Sequence, residues 1–346
     1  MKILVIIPSR FAGCGFYRQY QPYNHLAKNY DVKVEFANVV PDVLDFDIVI
    51  FHKAYFNLQD VKRVRSLGIP VVVDFDDHWI VNKGHTMYKE YTTQGTSAKL
   101  HKLLLNADYV TCTTDELADE IYKYNQNVVV LPNAVDTGYD GWNVEREQED
   151  VGTVFGYLGG PCHTRDVALL RGVPEATHAH FRLFGYNGSD IYKHYAKILS
   201  GGNPSGNFSL FKGADIWTYP QFYNLMDVSL VPLEDNRFNA MKSELKMIEA
   251  GAFSKAVIVS KVKPYTNILR HGKNCLAAES KADWINYIKT LDRNPDIVES
   301  LGAQLKEDTK SYDIAVVNSD RYNFLQDVQQ KHHQDSSHQH SGLVNV

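Results

Sequence analysis

Short, almost uninterrupted apolar runs alternate with longer helical stretches along this chain, and that alternation limits its fold more than any other feature. Lys2-Ile-Leu-Val-Ile-Ile7 and Ile69-Pro-Val-Val-Val-Asp-Phe75 lack the polar residue at every second place that a strand with one wet face would show. Strands of this kind suit a parallel sheet covered on both sides by helices. Runs at 2–8, 31–37, 47–51, 69–75, 108–112 and 128–131 are separated by helical stretches, including those at about 17–28, 99–106 and 114–124. A Gly-, Asp- and Glu-rich linker at 137–150 follows. The alternation then restarts, with strands at 153–158, 179–184, 208–211, 227–232 and 257–260. Helices at 219–226, 281–293, 295–309 and 314–331 complete the series. The expectation is an α/β chain of two Rossmann-like, doubly wound parallel-sheet domains, 1–136 and 151–312. Ligands in such sheets belong at the carboxyl ends of the strands.

The length of 346 residues is enough for two such cores. With 44% hydrophobic and 22% charged residues, the chain is too apolar for disorder. A net charge of −5 argues against a dedicated nucleic-acid binder, though a local basic groove fits within it. Cys14, Cys112, Cys162 and Cys275 lie far apart with no paired spacing, which suggests reduced thiols in a cytoplasmic protein rather than a disulfide framework or zinc site. No run approaches the roughly 18 apolar residues of a membrane span, so no integral membrane segment is expected. Residues 332–346 are polar and His-rich and read as a disordered tail.

The stretch Asn239 to Ser260 carries the most chemistry. It reads as a loop, a short helix N-capped by Ser243, a turn and a buried strand. Lys242, Lys246 and Glu249 recur at helical spacing and so share one face. Two ammonium groups near a helix N-terminus would suit a diphosphate. A carboxylate one turn further in would suit the hydroxyls of a ribose. The plain alternative is a solvated helix with Lys–Glu pairs of about 0.2–0.5 kcal/mol each.

This stretch resembles the nucleotide-sugar site of GT-B glycosyltransferases, in particular retaining, family 4-like enzymes with a glycogen-synthase-type donor domain. Pro132-Asn-Ala-Val-Asp136 resembles the end of the first domain in the same class. The resemblance implies two domains facing each other across a cleft, with the last helix at 313–331 crossing back to the first. It also implies that Lys246 meets the donor phosphates, that Glu249 holds the ribose, and that Lys242 or Ser243 assists. Met241 stands where relatives carry a second Glu.

Other strand ends supply further candidates. Gly13 and Gly15, in the loop after the first strand, would by resemblance approach the donor, and Arg18 opens the helix behind them as a phosphate ligand or an ion-pair partner. Phe51-His-Lys53 is a second strand end. In Asp74-Phe-Asp-Asp-His-Trp79, the residues Asp76, Asp77 and His78 either bind sugar or acceptor hydroxyls and take the acceptor's proton, or form a capping and ion-pairing cluster. A metal reading of that cluster has no supporting nucleotide-binding pattern around it. The polar, aromatic stretch 83–98 is expected to contact the acceptor. Gly159 and Gly160 let a substrate approach backbone amides, with His163 and Arg165 close behind. By resemblance, the loops holding Tyr186 and Lys212 border the nucleobase.

The resemblance thus implies a hexosyltransferase that moves a hexose from a nucleoside-diphosphate sugar, with UDP-sugars such as UDP-glucose favoured, to an acceptor hydroxyl. It implies retention and no metal or other cofactor beyond the nucleotide sugar. The acceptor is a glycan or a small molecule. Alternatives are transfer to a modified base in DNA, a nucleotide-sugar epimerase of the same fold, or a non-catalytic nucleotide-sugar binder.

Overall fold

The computed structural model describes residues 1–10, 13–55, 57–139, 151–203 and 206–341, with backbone alone for 333 and 335–341. Twelve strands lie in the described residues: β1 (Lys2–Ile6), β2 (Lys33–Ala37), β3 (Ile48–His52), β4 (Val71–Phe75), β5 (Tyr109–Cys112), β6 (Val128–Val130), β7 (Val154–Leu158), β8 (His180–Tyr186), β9 (Phe208–Lys212), β10 (Val228–Val231), β11 (Ala256–Ser260) and β12 (Leu276–Ala278). They form two six-stranded sheets, ordered β2-β1-β3-β4-β5-β6 and β12-β11-β10-β7-β8-β9. All the pairings are parallel. The second sheet has the Rossmann order 3-2-1-4-5-6 when counted from β7. The chain reverses direction across the sheet between β1 and β3 in the first, and between β7 and β10 in the second. The loops leaving these strand pairs therefore part and open a crevice at each carboxyl edge.

The chain forms two compact units. One comprises residues 1–80, 91–134 and the chain from Ile314 onward, and the other Val81–Glu90 with Val135–Asp313. In the first unit, β3 and β4 are buried along their whole length, as their largely apolar sequences require. Each such side chain contributes roughly 1.5–3 kcal/mol when removed from water. One core joins Ile3, Val5, Tyr23, Leu26 and Ile48 to Phe324, Leu325 and Val328 of the last helix. In the second unit, Phe155, Phe181, Leu230 and Ile258 of the sheet pack with Trp284, Ile288 and Leu301 of the late helices.

Local chemistry sets some helix starts. Thr114 accepts the amide of Leu117 and caps Asp115–Tyr122. Ser280 and Asp283 form a reciprocal capping box for Lys281–Arg293. Two glycines allow the helix Pro295–Asp308 to lie against its neighbours. A Cβ on Gly302 would overlap the carbonyl of Ser254, and one on Gly251 would overlap Thr309.

Several elements depart from the sequence expectation. The helix expected at 17–28 is a π-helical turn, Phe16–Tyr20, continuing into Gln21–Asn29. The stretch 83–98 is not one loop: helices Tyr88–Thr93 and Thr96–Asn106 occupy much of it. The last helix, Ile314–Ser341, runs ten residues beyond 331, so the tail expected to be disordered from 332 is helical to 341. Residues 342–346, and 140–150 of the linker, lie outside the described residues. No helix among the described residues is long and apolar enough to cross a membrane.

Candidate active site

The crevice between β7 and β10 gathers most of the expected donor residues. β7 ends in Gly159 and Gly160, whose carbonyls accept the hydroxyls of Tyr192 (2.9 Å) and Tyr195 (3.2 Å). The next helical turn, Thr164–Val167, begins at His163. His163 Nδ1 lies 2.7 Å from Asp166, whose other oxygen takes the amide of Glu234 at 2.7 Å from the loop after β10. Asn239 Nδ2 also reaches Asp166, at 3.3 Å. Asp166 thus ties together the two loops that flank the reversal.

Electrostatics fix the protonation here. Burial lowers the pKa of His163 to about 4, assisted by Lys246 and Lys242 and opposed by Asp166. The ring is neutral at neutral pH, and its Nδ1–H donates to the carboxylate. Burial would raise the pKa of Asp166, but the bond from His163 and the amide of Glu234 hold it below the ordinary carboxylate value.

Lys246 projects from the helix Leu245–Ala252 toward the end of β7. Its Nζ stands 5.1 Å from the centre of the Tyr157 ring and 3.0 Å from where a Cβ on Gly159 would be. It makes no hydrogen bond or ion pair among the described residues. Burial, with Lys242 adding to it, lowers its pKa, while Asp166, Cys162 and Glu249 act the other way. An ammonium left in this setting is a site for an anion.

The helix itself begins later than the sequence suggests. Its N-cap is Glu244, not Ser243, and no side chain caps it. Lys242 is extended, with φ −75° and ψ 162°, so it precedes the helix and does not share a helical face with Lys246 and Glu249. The reason is tertiary: a separate 3₁₀ turn, Asn239–Met241, is held by Asn239, whose side chain bonds Asp166 and the Glu234 carbonyl. Lys242 nevertheless lines the pocket beside this turn, together with His163, Arg165, Asp166 and Asn239.

Glu249 is 3% exposed, and its two oxygens accept the hydroxyls of Tyr219 and of Tyr223, the latter at 2.8 Å. Arg165 is paired with Glu234. Tyr186 ends β8 and Lys212 ends the edge strand β9, displaced along the sheet from the reversal. Part of the stretch expected to meet an acceptor lies in this unit. Asn82 bonds Asn236 at 2.6 Å, the His85 ring packs 4.9 Å from that of Phe238, and both Asn82 and His85 line the same pocket.

The first unit has its own polar cluster where β1 and β3 part. Arg18 does not belong to its open part. Its side chain is 1% exposed, and it grips Asp74 through Nε (3.0 Å) and Nη2 (2.7 Å) while Nη1 reaches the Leu131 carbonyl at 2.6 Å. A phosphate role for Arg18 is therefore corrected to an ion pair joining the helix after β1 to β4 and the end of β6. Gly15 permits the turn before it, since a Cβ there would overlap the Ser9 carbonyl; Gly13 has open space. Asp76 pairs with Lys53, and Asp77 lies 3.8 Å from the same ammonium. His78 turns inward: it is 2% exposed, stacks 4.6 Å from Trp79 and accepts the Ile80 amide at 3.0 Å. That position corrects its expected contact with a substrate.

Sequence reasoning passed over Asp166, Glu234, Tyr219 and Tyr223 as site residues, and flagged His52 and Lys53 only as a strand end. The i, i+4 spacing of Tyr219 and Tyr223 was a usable signal for a shared partner. The Asp166–Glu234 link had none, because it spans separate loops.

The two parallel sheets, each with polar groups at its point of reversal, have the fold of the GT-B glycosyltransferases. More narrowly, residues 10–139 match the model of Glycosyltransferase Family 4. No curated protein sequence matches the chain. Among solved structures, sucrose-phosphate synthase from Thermosynechococcus elongatus is similar with a TM-score of 0.70 at 11% identity, covering 94% of this chain and 98% of that one. HepE of Anabaena in complex with UDP-glucose has a TM-score of 0.67 at 13% identity, covering 94% and 100%. TarM of S. aureus has a TM-score of 0.58 at 15% identity, covering 80% of this chain and 55% of that one. These likenesses are ones of fold.

Proposed function

We propose that the chain transfers a hexose from a UDP-sugar to an acceptor hydroxyl, with retention of configuration and without a metal. The observation that carries this reading is the Lys246 ammonium beside Gly159, without an ion pair among the described residues, where β7 and β10 part. When the glycosidic bond breaks, negative charge gathers on the departing diphosphate. A fixed cation that meets this charge lowers the barrier by about 3 kcal/mol. Lys246 and Lys242 supply such charge, the role a divalent ion would otherwise take. Glu249, steadied by Tyr219 and Tyr223, is placed to accept from the ribose hydroxyls. The neutral His163 offers Nε2 to the transferred sugar as an acceptor.

The UDP-bound state of HepE supports uridine as the base. Retention rests on the resemblance of the Lys246–Glu249 stretch to glycogen-synthase-type donor domains. The four separate thiols support action in the cytoplasm. Calorimetric titration with UDP-, GDP- and ADP-glucose tests the donor. UDP-glucose is expected to bind tightest and to raise the melting temperature by mass action. Equal or absent responses to all three would reject the reading.

A further inference from the structure

Residues 82–86 form a strap across the pocket beside His163 and Lys242, the place that the proposed transfer gives to the hexose. Asn82, Gly84, His85 and Thr86 make one wall, and the open space left inside is about 30 Å³. That is room for about two water molecules, each of which needs about 10–15 Å³ of such space. A hexosyl group is several times larger. The hexose and the strap therefore compete for one volume.

Of the two walls, the strap is the one that can move. The facing wall is pinned by Asp166, which is 4% exposed and accepts hydrogen bonds from His163, the Glu234 amide and the Asn239 side chain. In the strap, Lys83, Gly84 and Thr86 are exposed. Its hold on the facing wall includes a hydrogen bond from Asn82 Nδ2 to Asn236 Oδ1 at 2.6 Å and the packing of the His85 ring on Phe238. Without Asn82, Asn236 keeps its bonds to Glu234 (3.0 Å) and to the Asn239 amide (2.9 Å), so that wall stays assembled. The strap also has turns of its own: the amides of His85 and Tyr88 donate to the carbonyls of Asn82 and His85 at 3.0 and 2.9 Å. It can thus lift as one piece. Gly84 fits it to its seat, since φ there is +105° and a Cβ would come within 2.6 Å of Arg165 Nη1.

We propose that this strap is autoinhibitory: in the free protein it fills part of the place of the hexose, and a nucleoside-diphosphate sugar binds by displacing it. The identity of the ligand rests on the donor reading. The proposal fixes a sign. Contacts that hold a wall in place favour the ligand, so removing them weakens binding. Contacts that hold a plug oppose the ligand, because only the open fraction of the protein binds it, so removing them strengthens binding.

Association rates and dissociation constants of UDP-glucose for the full chain, for Asn82→Ala and for Gly84→Ala test this. The first variant removes the bond to Asn236, and the second strains the seated backbone. Each should bind UDP-glucose about fivefold tighter through faster association, the factor that loss of one hydrogen bond adds to the open fraction. UDP, which carries no hexose, should bind all three forms alike and reports on the donor site by itself. Unchanged or weaker UDP-glucose binding in both variants, with UDP still bound, overturns the strap and leaves the donor reading standing. Failure of every form to bind either nucleotide rejects the donor reading and the strap with it.

Discussion

The ammonium of Lys246 lies 3.0 Å from the point a Cβ on Gly159 would occupy. A Cβ there would overlap the Tyr157 hydroxyl and ring first, and would also crowd the lysine at the end of β7. That closeness links a backbone turn to the charge on which the proposed transfer depends.

Removing this charge should strike turnover before folding. Lys246→Ala is expected to lower kcat with UDP-glucose by about 100-fold or more. The melting temperature should hold, because a desolvated ammonium without an ion pair adds little to the folded state. Because burial depresses the Lys246 pKa, donor binding should also weaken with rising pH earlier than for a free lysine. A variant with wild-type turnover would refute the role.

Tyr223 and Glu249 form a buried pair at 2.8 Å. Tyr223→Phe strips one carboxylate oxygen of its donor and should destabilise the second unit by about 1–3 kcal/mol. Urea denaturation measures it. The same variant should raise the Kd for UDP, since the carboxylate is less firmly placed; an unchanged Kd would separate Glu249 from the donor.

Arg18→Ala should leave Asp74 as an uncompensated buried charge and cost about 3–5 kcal/mol. Arg18→Met with Asp74→Leu should recover most of that. Burial would raise the pKa of Asp74, but Arg18 and Thr111 hold it below the ordinary 3.8. A depressed carboxylate contributes stability that is full above the ordinary value and lost as pH falls through the folded one. Acid unfolding of the first unit should thus set in below roughly pH 4, and the double variant should blunt it.

His163 should titrate near 4 in the folded chain, well below its ordinary 6.5. The unfolded ring takes a proton that the folded ring refuses, so stability should fall as pH drops from 6.5 to about 4 and stay level above. A histidine NMR titration reads the value directly. A midpoint near 6.5 would show the ring solvated and free of Lys246.

Gly302→Ala drives a methyl into the Ser254 carbonyl, which is backbone and cannot rotate away. The expected loss is about 1–3 kcal/mol, read as a lower urea midpoint with unchanged slope.

Much of the fold was legible because strand burial leaves a local record. Apolar runs such as Val71–Val73 announce a sheet covered on both faces, and Lys281–Arg293 carries its own capping box. The start of the helix at Leu245 was not legible. Ser243 is a good N-cap by type, but the Asn239 side chain, drawn to Asp166, fixes a separate turn first. Arg18 was ambiguous for a similar reason: an arginine behind a glycine loop reads equally as a phosphate ligand, and only the position of Asp74 decides.

The amino-acid order alone determined which stretches become strands and helices, that they alternate twice, and that lysines and a glutamate fall near one strand–helix junction. Those are consequences of neighbours within a few residues, where spacing and side-chain type suffice. Tertiary structure decided which charges are spent and which remain available: Arg18 on Asp74, Arg165 on Glu234, and Lys246 without an ion pair among the described residues. Such pairings join residues far apart in the chain, and their energy depends on burial and distance, which no local pattern encodes.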